Sequence, residues 1–146
     1  MSFSENEIIE QLALTRGAST SLALATSEKK NEVLFSLAQL LLENSALIIA
    51  ENEKDLASIS ADDPMRDRLL LNSDRIINLS QSLHEVAKLT DPTGQTLSDK
   101  VIANGLKLTK ISVPLGVVGV IFESRPNVTV DVAALCIRSG NAAILR

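Results

Sequence analysis

Cysteine, histidine and aromatic residues are almost missing from this chain of 146 residues, which has one Cys, one His, three Phe and no Trp or Tyr. One Cys and one His exclude a disulfide framework and a four-ligand zinc site, so the sequence predicts no metal centre. So few aromatic rings exclude recognition of single-stranded nucleic acid by base stacking. A single unpaired Cys is typical of a protein in a reducing, cytoplasmic setting.

A block of basic residues and a long apolar run are missing as well. The formal net charge is −4, and the basic residues are interleaved with acids, which argues against a nucleic-acid partner. No apolar run approaches the ~20 residues that span a bilayer, and the start of the chain does not resemble a signal peptide. With 45% hydrophobic and 22% charged residues, the chain is expected to be soluble and globular.

Residues 1–90 carry apolar side chains at helical spacing, which predicts a helical region. Ser27 and Ser73 are predicted N-caps, and Pro64 suits the first position of a helix. A break between two helices is expected at residues 44–45. The clearest apolar stripe consists of Val33, Leu34, Leu37, Leu40 and Leu41.

Residues 100–114 alternate between apolar and polar side chains, which predicts extended strands after a turn at 91–94. The apolar pair at 106 and 108 has the opposite parity to the pair at 111 and 113. The change of parity predicts a bulge or a turn near Thr109 and Lys110.

Residues 115–146 predict a strand, a helix and a second strand. The apolar run at 117–122 is typical of a strand buried on both faces, 128–139 predicts a crossover helix, and Gly140 predicts its left-handed cap. The predicted fold class is therefore α/β, with N-terminal helices followed by the start of a Rossmann-like parallel sheet. Two parallel strands and one helix leave unpaired edges, so the sheet is expected to be incomplete and the chain a fragment.

The run Ser-Val-Pro-Leu-Gly-Val-Val-Gly-Val-Ile-Phe-Glu-Ser-Arg-Pro-Asn-Val-Thr at 112–129 closely resembles γ-glutamyl phosphate reductase, also called glutamate-5-semialdehyde dehydrogenase. The resemblance continues through 130–146 and includes Arg-Leu-Leu-Leu at 68–71. The Glu-Ser-Arg-Pro-Asn-Val-Thr part distinguishes this family from the wider aldehyde dehydrogenase superfamily, which the chain otherwise resembles. The resemblance implies an aldehyde dehydrogenase-like fold, with residues 1–146 as the N-terminal part of the NADP-binding domain and the catalytic Cys domain absent.

The resemblance also implies a reaction, the NADPH-dependent reduction of γ-glutamyl 5-phosphate to glutamate 5-semialdehyde and phosphate in proline biosynthesis. In this family a Cys thiolate displaces phosphate to form a thioester, which hydride then reduces. The nucleophilic Cys of the family lies beyond this chain. Cys136 lies on an apolar helix, where we expect inert packing, so the chain alone is expected to be inactive.

The implied site residues follow the first parallel strand, at the sheet edge where ligands bind in such folds. Arg125 is expected to bind the substrate phosphate and Asn127 to donate to the oxyanion, although an ungapped match places Arg125 at the oxyanion position. Glu123 and Ser124 are expected to line the nicotinamide side of the cofactor, and Arg146 to contact the ribose and 2′-phosphate of NADP. Without a ligand, Arg-Pro-Asn is also ordinary loop chemistry, and this alternative stays open.

The expected partner is the small-molecule substrate γ-glutamyl phosphate. The resemblance of residues 106–113 to protruding superfamily strands implies a homo-oligomer at full length, and association with glutamate 5-kinase is a further expectation. The preference for NADPH over NADH depends on the resemblance and on Arg146. The alternative function is a non-catalytic, truncated α/β module or interaction fragment.

Overall fold

The computed structural model describes residues 4–60, 62–123 and 125–146, and these form six α-helices and four β-strands. In chain order the elements are α1 Glu5–Ala23, α2 Ser27–Glu43, α3 Ser45–Ala57, α4 Met65–Leu69, α5 Ser73–Lys88, β1 Thr96–Val101, β2 Lys107–Ile111, β3 Val117–Val120, α6 Pro126–Arg138 and β4 Ala142–Leu145. The predicted α/β class is confirmed.

Two of the predicted helix caps are wrong by one residue. The N-caps are Thr26, whose hydroxyl accepts from the Lys29 amide at 3.2 Å, and Asn72, whose side chain accepts from the Arg75 amide at 2.8 Å. Ser27 and Ser73 are instead the first residues of α2 and α5. The residue before each serine has the extended backbone that a cap requires and carries its own side-chain acceptor, so it takes the capping position.

Two further boundaries were predicted in the helical region. The break at 44–45 is confirmed, because α2 and α3 meet at Asn44 with a bend of 68°. Pro64 is the N-cap of α4 rather than its first residue, and Asp63 Oδ1 accepts from the Met65 amide at 2.8 Å.

The core is formed where α2, α5 and α6 pack together. Leu34 of α2 and Leu83 of α5 are completely buried there. The buried residues of this core are Leu34, Ala38, Leu83, Ala87 and Ala134. Since small residues alternate with leucines, the helix backbones approach closely and α6 is held directly against α5.

A buried ion pair joins α2 to the turn before β1. Lys30 Nζ donates to Asp91 Oδ2 at 2.8 Å and to Thr93 Oγ1 at 3.0 Å, and the Lys30 side chain has no exposed surface. Asp91 also accepts from the Ser27 hydroxyl at 2.8 Å and from the Thr93 amide at 2.9 Å. Burial alone would raise the pKa of Asp91, but the hydrogen bonds from Lys30, Thr93 and Ser27 outweigh it and hold that pKa well below its ordinary value.

Strands β1 and β2 form an antiparallel hairpin with both faces exposed. The predicted irregularity is present beside Lys110, but the extra residue is on β1, between Thr96 and Ser98, while Thr109 and Lys110 themselves pair with Asp99 and Ser98. A parity change along one strand reports a local mismatch but not which strand carries the extra residue, and here it is the partner strand.

Strands β3 and β4 are parallel, with α6 as their crossover and Val117 paired with Ala142. β3 ends at Val120, but the Phe122 amide donates to the Arg146 carbonyl at 2.9 Å and so continues the ladder. Gly140 follows α6 with φ of +73°, as the predicted left-handed cap requires. This strand–helix–strand unit places residues 121–123 and Arg125 at the carboxyl edge of β3.

We predict that Lys30→Met lowers the free energy of unfolding by about 3–5 kcal/mol, because it leaves the carboxylate of Asp91 without its buried partner. Lys29→Met is the matched control, since Lys29 pairs with Glu32 at the surface and its loss should cost under ~1 kcal/mol. Urea unfolding followed by helical circular dichroism measures both values. Equal losses for the two variants would show that burial does not strengthen the Lys30 pair.

We predict that Gly140→Ala destabilises the chain by about 1–2 kcal/mol, because a β-carbon is disfavoured at positive φ. A β-carbon at this position would also lie 2.9 Å from Pro114 Cγ. Gly17→Ala is the control, because Gly17 lies inside α1 with open space around it, and this change should stabilise by about 0.5–1 kcal/mol. Thermal unfolding of both variants should therefore shift in opposite directions, and a shared direction would contradict the argument.

Candidate functional site

A cleft of about 470 Å³ lies between α4 and α5 on one side and the start of α6 on the other. Its apolar floor is formed by leucines at 70, 71 and 79, and its walls are polar and charged. The polar lining residues are Asp67, Arg68, Arg75, Asn78, Ser82, Arg125, Asn127 and Asp131. A cleft that combines an apolar surface with several convergent charged groups suits a small, charged ligand.

The sequence around Arg125 explains why one wall of the cleft is open for binding. Pro126 starts α6 at the position where a missing amide hydrogen has no cost, and Arg125 precedes it as the N-cap in extended conformation. The Arg125 side chain makes no capping hydrogen bond. The residue is exposed and lines the cleft, next to the positive end of the helix dipole.

The structure brings two of the predicted site residues together. Arg125 and Asn127 both line the cleft, and both are exposed. Within the described ranges, neither side chain is engaged in an ion pair or a side-chain hydrogen bond. Their location at the carboxyl edge of β3 agrees with the expectation, whereas their roles stay predictions.

The other predicted residues do not line this cleft. Glu123 is exposed on the loop after β3, and Ser124 lies outside the residues that the structure describes. Arg146 is exposed and follows β4, where its amide donates to the Val120 carbonyl at 3.0 Å. Glu123 and Arg146 therefore share the carboxyl edge of the two parallel strands without entering the cleft.

Sequence reasoning missed the opposite wall of the cleft. Positions 75, 78, 79 and 82 of α5 share one helical face, and this face lines the cleft. Ser82 Oγ donates to Asp131 Oδ1 at 3.2 Å and so connects α5 to α6. The helical spacing of these residues is visible in the sequence, but nothing local indicates that α6 packs beside them.

The single Cys is placed as the sequence predicted. Cys136 is 8% exposed on α6, and burial raises the pKa of its thiol. A raised pKa lowers the thiolate fraction at neutral pH, which is the opposite of what a nucleophile requires. We therefore expect this Cys to pack in the interior rather than to act as a nucleophile.

Two classes of site find no support in the described part of the chain. No group of three or more His, Cys, Asp or Glu side chains there could hold a metal ion. No single helix there is long and apolar enough to cross a bilayer, and only the bent pair of α2 and α3 reaches the required length and composition together.

Comparison with curated proteins gives close relatives along nearly the whole chain. The chain is 47% identical over 143 residues to γ-glutamyl phosphate reductase 2 of Bacillus licheniformis and 48% identical over 134 residues to γ-glutamyl phosphate reductase of Vibrio cholerae. These matches cover 96% and 90% of this chain, but 34% and 32% of the relatives. The chain thus spans about a third of the length of the curated relatives it matches. No family model matches the chain.

Solved structures are also similar to the chain, among them two reductases. The γ-glutamyl phosphate reductase of Thermotoga maritima superposes with a TM-score of 0.89 at 34% identity. The match covers 96% of this chain and 34% of the Thermotoga chain. The γ-glutamyl phosphate reductase of Saccharomyces cerevisiae superposes with a TM-score of 0.85 at 34% identity. The match covers 99% of this chain and 37% of the yeast chain.

The helices, the parallel unit and the two superpositions place the chain in the α/β class, with the architecture of these reductases. The resemblance seen in the sequence is confirmed: the chain is homologous, along almost all of its length, to about a third of a γ-glutamyl phosphate reductase.

We predict that Cys136 reacts with iodoacetamide about 10-fold or more slowly in the folded chain than in denaturant, because its thiol is buried and its pKa is raised. The matched control combines Cys136→Ala with Leu135→Cys, which moves the thiol to a neighbouring position that is 51% exposed. The control thiol should react at nearly the same rate in both states. Equally fast labelling of Cys136 in the folded chain would refute inert packing.

Proposed function

We propose that this chain forms part of a γ-glutamyl phosphate reductase, which reduces γ-glutamyl 5-phosphate to glutamate 5-semialdehyde and phosphate with NADPH in proline biosynthesis. Residues 1–146 would be the N-terminal part of the NADP-binding domain of a cytoplasmic enzyme, and inactive alone. The observation that carries the proposal is the joint placement of Arg125 and Asn127 in one cleft at the carboxyl edge of β3. The names of the relatives support the substrate and the class of reaction.

Arg125 has the chemistry needed for the phosphate. Its guanidinium offers a planar pair of donors that matches two phosphate oxygens, and this bidentate pairing is strong because both partners are charged. The first turn of α6, which follows directly, adds a partial positive charge. Together they stabilise the negative charge on the leaving phosphate.

Asn127 has the chemistry needed for the oxyanion. When a thiolate attacks the acyl carbon, a carbon–sulfur bond forms and an electron pair moves onto the carbonyl oxygen, to which the Asn127 amide donates. The electron pair then returns, the carbon–oxygen bond to phosphate breaks, and a thioester remains. Because Cys136 is buried, this thiol must come from outside the 146 residues.

The carboxyl edge of the parallel strands carries residues that fit NADPH. An exposed Arg at the end of β4, Arg146, suits the 2′-phosphate, while Glu123 and Ser124 are proposed for the nicotinamide side. When bound, NADPH supplies the hydride that reduces the thioester. This chain's residues hold the cofactor and keep the acyl carbon beside it.

A non-catalytic interaction module is the second candidate, favoured by the exposed apolar residues of the β1–β2 hairpin. Leu97, Val101 and Leu106 are 57%, 71% and 62% exposed. Apolar surface of this kind marks a contact with another chain. In the reductase proposal the same hairpin mediates homo-oligomer formation or contact with glutamate 5-kinase.

The test is a chimera in which this chain replaces the matching segment of the Bacillus licheniformis relative. We expect the chimera to catalyse phosphate-dependent reduction of NADP by glutamate 5-semialdehyde, the reverse reaction. Arg125→Ala should raise the KM for phosphate about 10- to 100-fold, because a charge-assisted bidentate contact is lost. Asn127→Ala should lower kcat about 100-fold or more, because one oxyanion donor is lost.

Arg16→Ala in exposed α1 is the control for a general loss of positive charge, and it should behave like the parent chimera. The isolated chain should be inactive in the same assay. A folded but inactive chimera would favour the interaction module, and unchanged kinetics in both cleft variants would remove the cleft from the reaction.

A further inference from the structure

The arginines around α4 differ in how they are used. Arg66 Nη1 donates to the Leu56 carbonyl at 2.6 Å, and this bond ties α4 to the end of α3. Arg75 donates to the Leu70 carbonyl at 2.8 Å and to Asp67 Oδ1 at 2.7 Å, which ties α4 to α5. Both guanidinium groups are therefore engaged by the protein itself, Arg66 with a backbone carbonyl and Arg75 with a carbonyl and a carboxylate.

Arg68 lies between these two arginines in the chain but lacks such partners. Its only side-chain hydrogen bond among the described residues is to Met65 Sδ, at 3.7 Å. The side chain is exposed and lines the cleft. The cleft thus contains two guanidinium groups without an acidic partner in the described structure, Arg68 on one wall and Arg125 on the other.

The α6 wall also carries a carboxylate. Asp131 lies four residues after Asn127, so both side chains project from the same face of α6, one turn apart, and both line the cleft. Within the described ranges, the carboxylate of Asp131 accepts one hydrogen bond, from Ser82 at 3.2 Å. A carboxylate can accept several more, so Asp131 keeps acceptor capacity for a ligand.

We propose that the α4 side of the cleft recognises the amino-acid end of the substrate, with Arg68 binding the α-carboxylate and Asp131 binding the α-ammonium. The inference rests on the proposed function, in which the acyl phosphate lies at Arg125 and Asn127. Once Asp67 has paired with Arg75, the cleft offers two cations and one anion. γ-Glutamyl phosphate carries two anionic groups and one ammonium, which is the complementary set.

The spacing along α6 fits this arrangement. Residues four apart are separated by about 6 Å along the helix axis. In an extended γ-glutamyl group the acyl carbon and the α-nitrogen are four bonds apart, which corresponds to about 5 Å. A substrate with its acyl oxygen at Asn127 therefore brings its ammonium to the level of Asp131, which leaves its α-carboxylate for the opposite wall.

The test uses the whole 146-residue chain and L-glutamate as the probe for the amino-acid end, followed by amide chemical shifts in NMR. We expect weak binding that shifts residues 78–82 and 127–131. Arg68→Ala should weaken it about 10-fold or more, because a charge-assisted pair is lost, and Arg68→Lys should weaken it less. Arg16→Ala is the control, and circular dichroism confirms that each variant is folded.

Two analogues divide the recognition between the proposed residues. 4-Aminobutyrate lacks the α-carboxylate and should bind equally well to the parent chain and to Arg68→Ala. Glutarate lacks the ammonium and should bind equally well to the parent chain and to Asp131→Asn, which keeps an acceptor for Ser82.

Glutamate binding that is absent, or unchanged in Arg68→Ala, would overturn the inference. The chimera separates this failure from failure of the proposed function. There Arg68→Ala should lower kcat/KM about 10-fold or more for glutamate 5-semialdehyde but little for 4-aminobutanal, which lacks the carboxylate. An active chimera without this difference would leave the reductase proposal intact and refute the role of Arg68. Arg68-dependent glutamate binding with an inactive chimera would refute only the reductase proposal.

Discussion

The buried ion pair between Lys30 and Asp91 is the contact on which the arrangement of the two halves depends. A buried ion pair is weak evidence for stability, because desolvation opposes the attraction of the two charges. Its effect on the specificity of the fold, meaning on which arrangement the chain adopts, is greater. The completely buried ammonium of Lys30 finds its acceptors only in the turn at 91–93, among the described residues, so docking the turn elsewhere would leave a buried charge unpaired. The pair therefore fixes where the extended half begins relative to the helices.

The orientation of α6 follows from the same region. The Cβ position of Gly140, just after α6, lies 3.5 Å from Lys30 Nζ, so the end of α6 packs beside the ion pair. Arg138, which is 7% exposed, donates to Asn31 Oδ1 at 2.8 Å and to the Leu89 carbonyl. These contacts hold the C-terminal end of α6 against α2 and the end of α5. Because a helix is stiff, fixing one end also fixes which face its first turns present to the cleft.

The sequence predicts what depends on neighbours in the chain. The break at Asn44, the crossover helix and the cap at Gly140 follow from periodicity and backbone preference, and a loop after a parallel strand indicated Arg125 and Asn127. Contacts between distant residues were not predictable. The hydrogen bond from the Ser27 hydroxyl to Asp91, 64 residues away, is one that no local pattern shows. Arg68 was missed as a site residue for the same reason.

The two walls of the cleft thus have different origins. The α6 wall is the N-terminus of a helix that follows a strand. The free amides and the dipole of a helix N-terminus favour an anion, whatever packs nearby. The α4 wall depends on contacts between separate segments, among them those in which Arg66 and Arg75 bind backbone carbonyls and help to fix a helix of five residues between α3 and α5. A charged side chain selects a ligand well only when its support is rigid. The two arginines that bind the protein's own carbonyls are therefore what would allow the third to recognise a ligand.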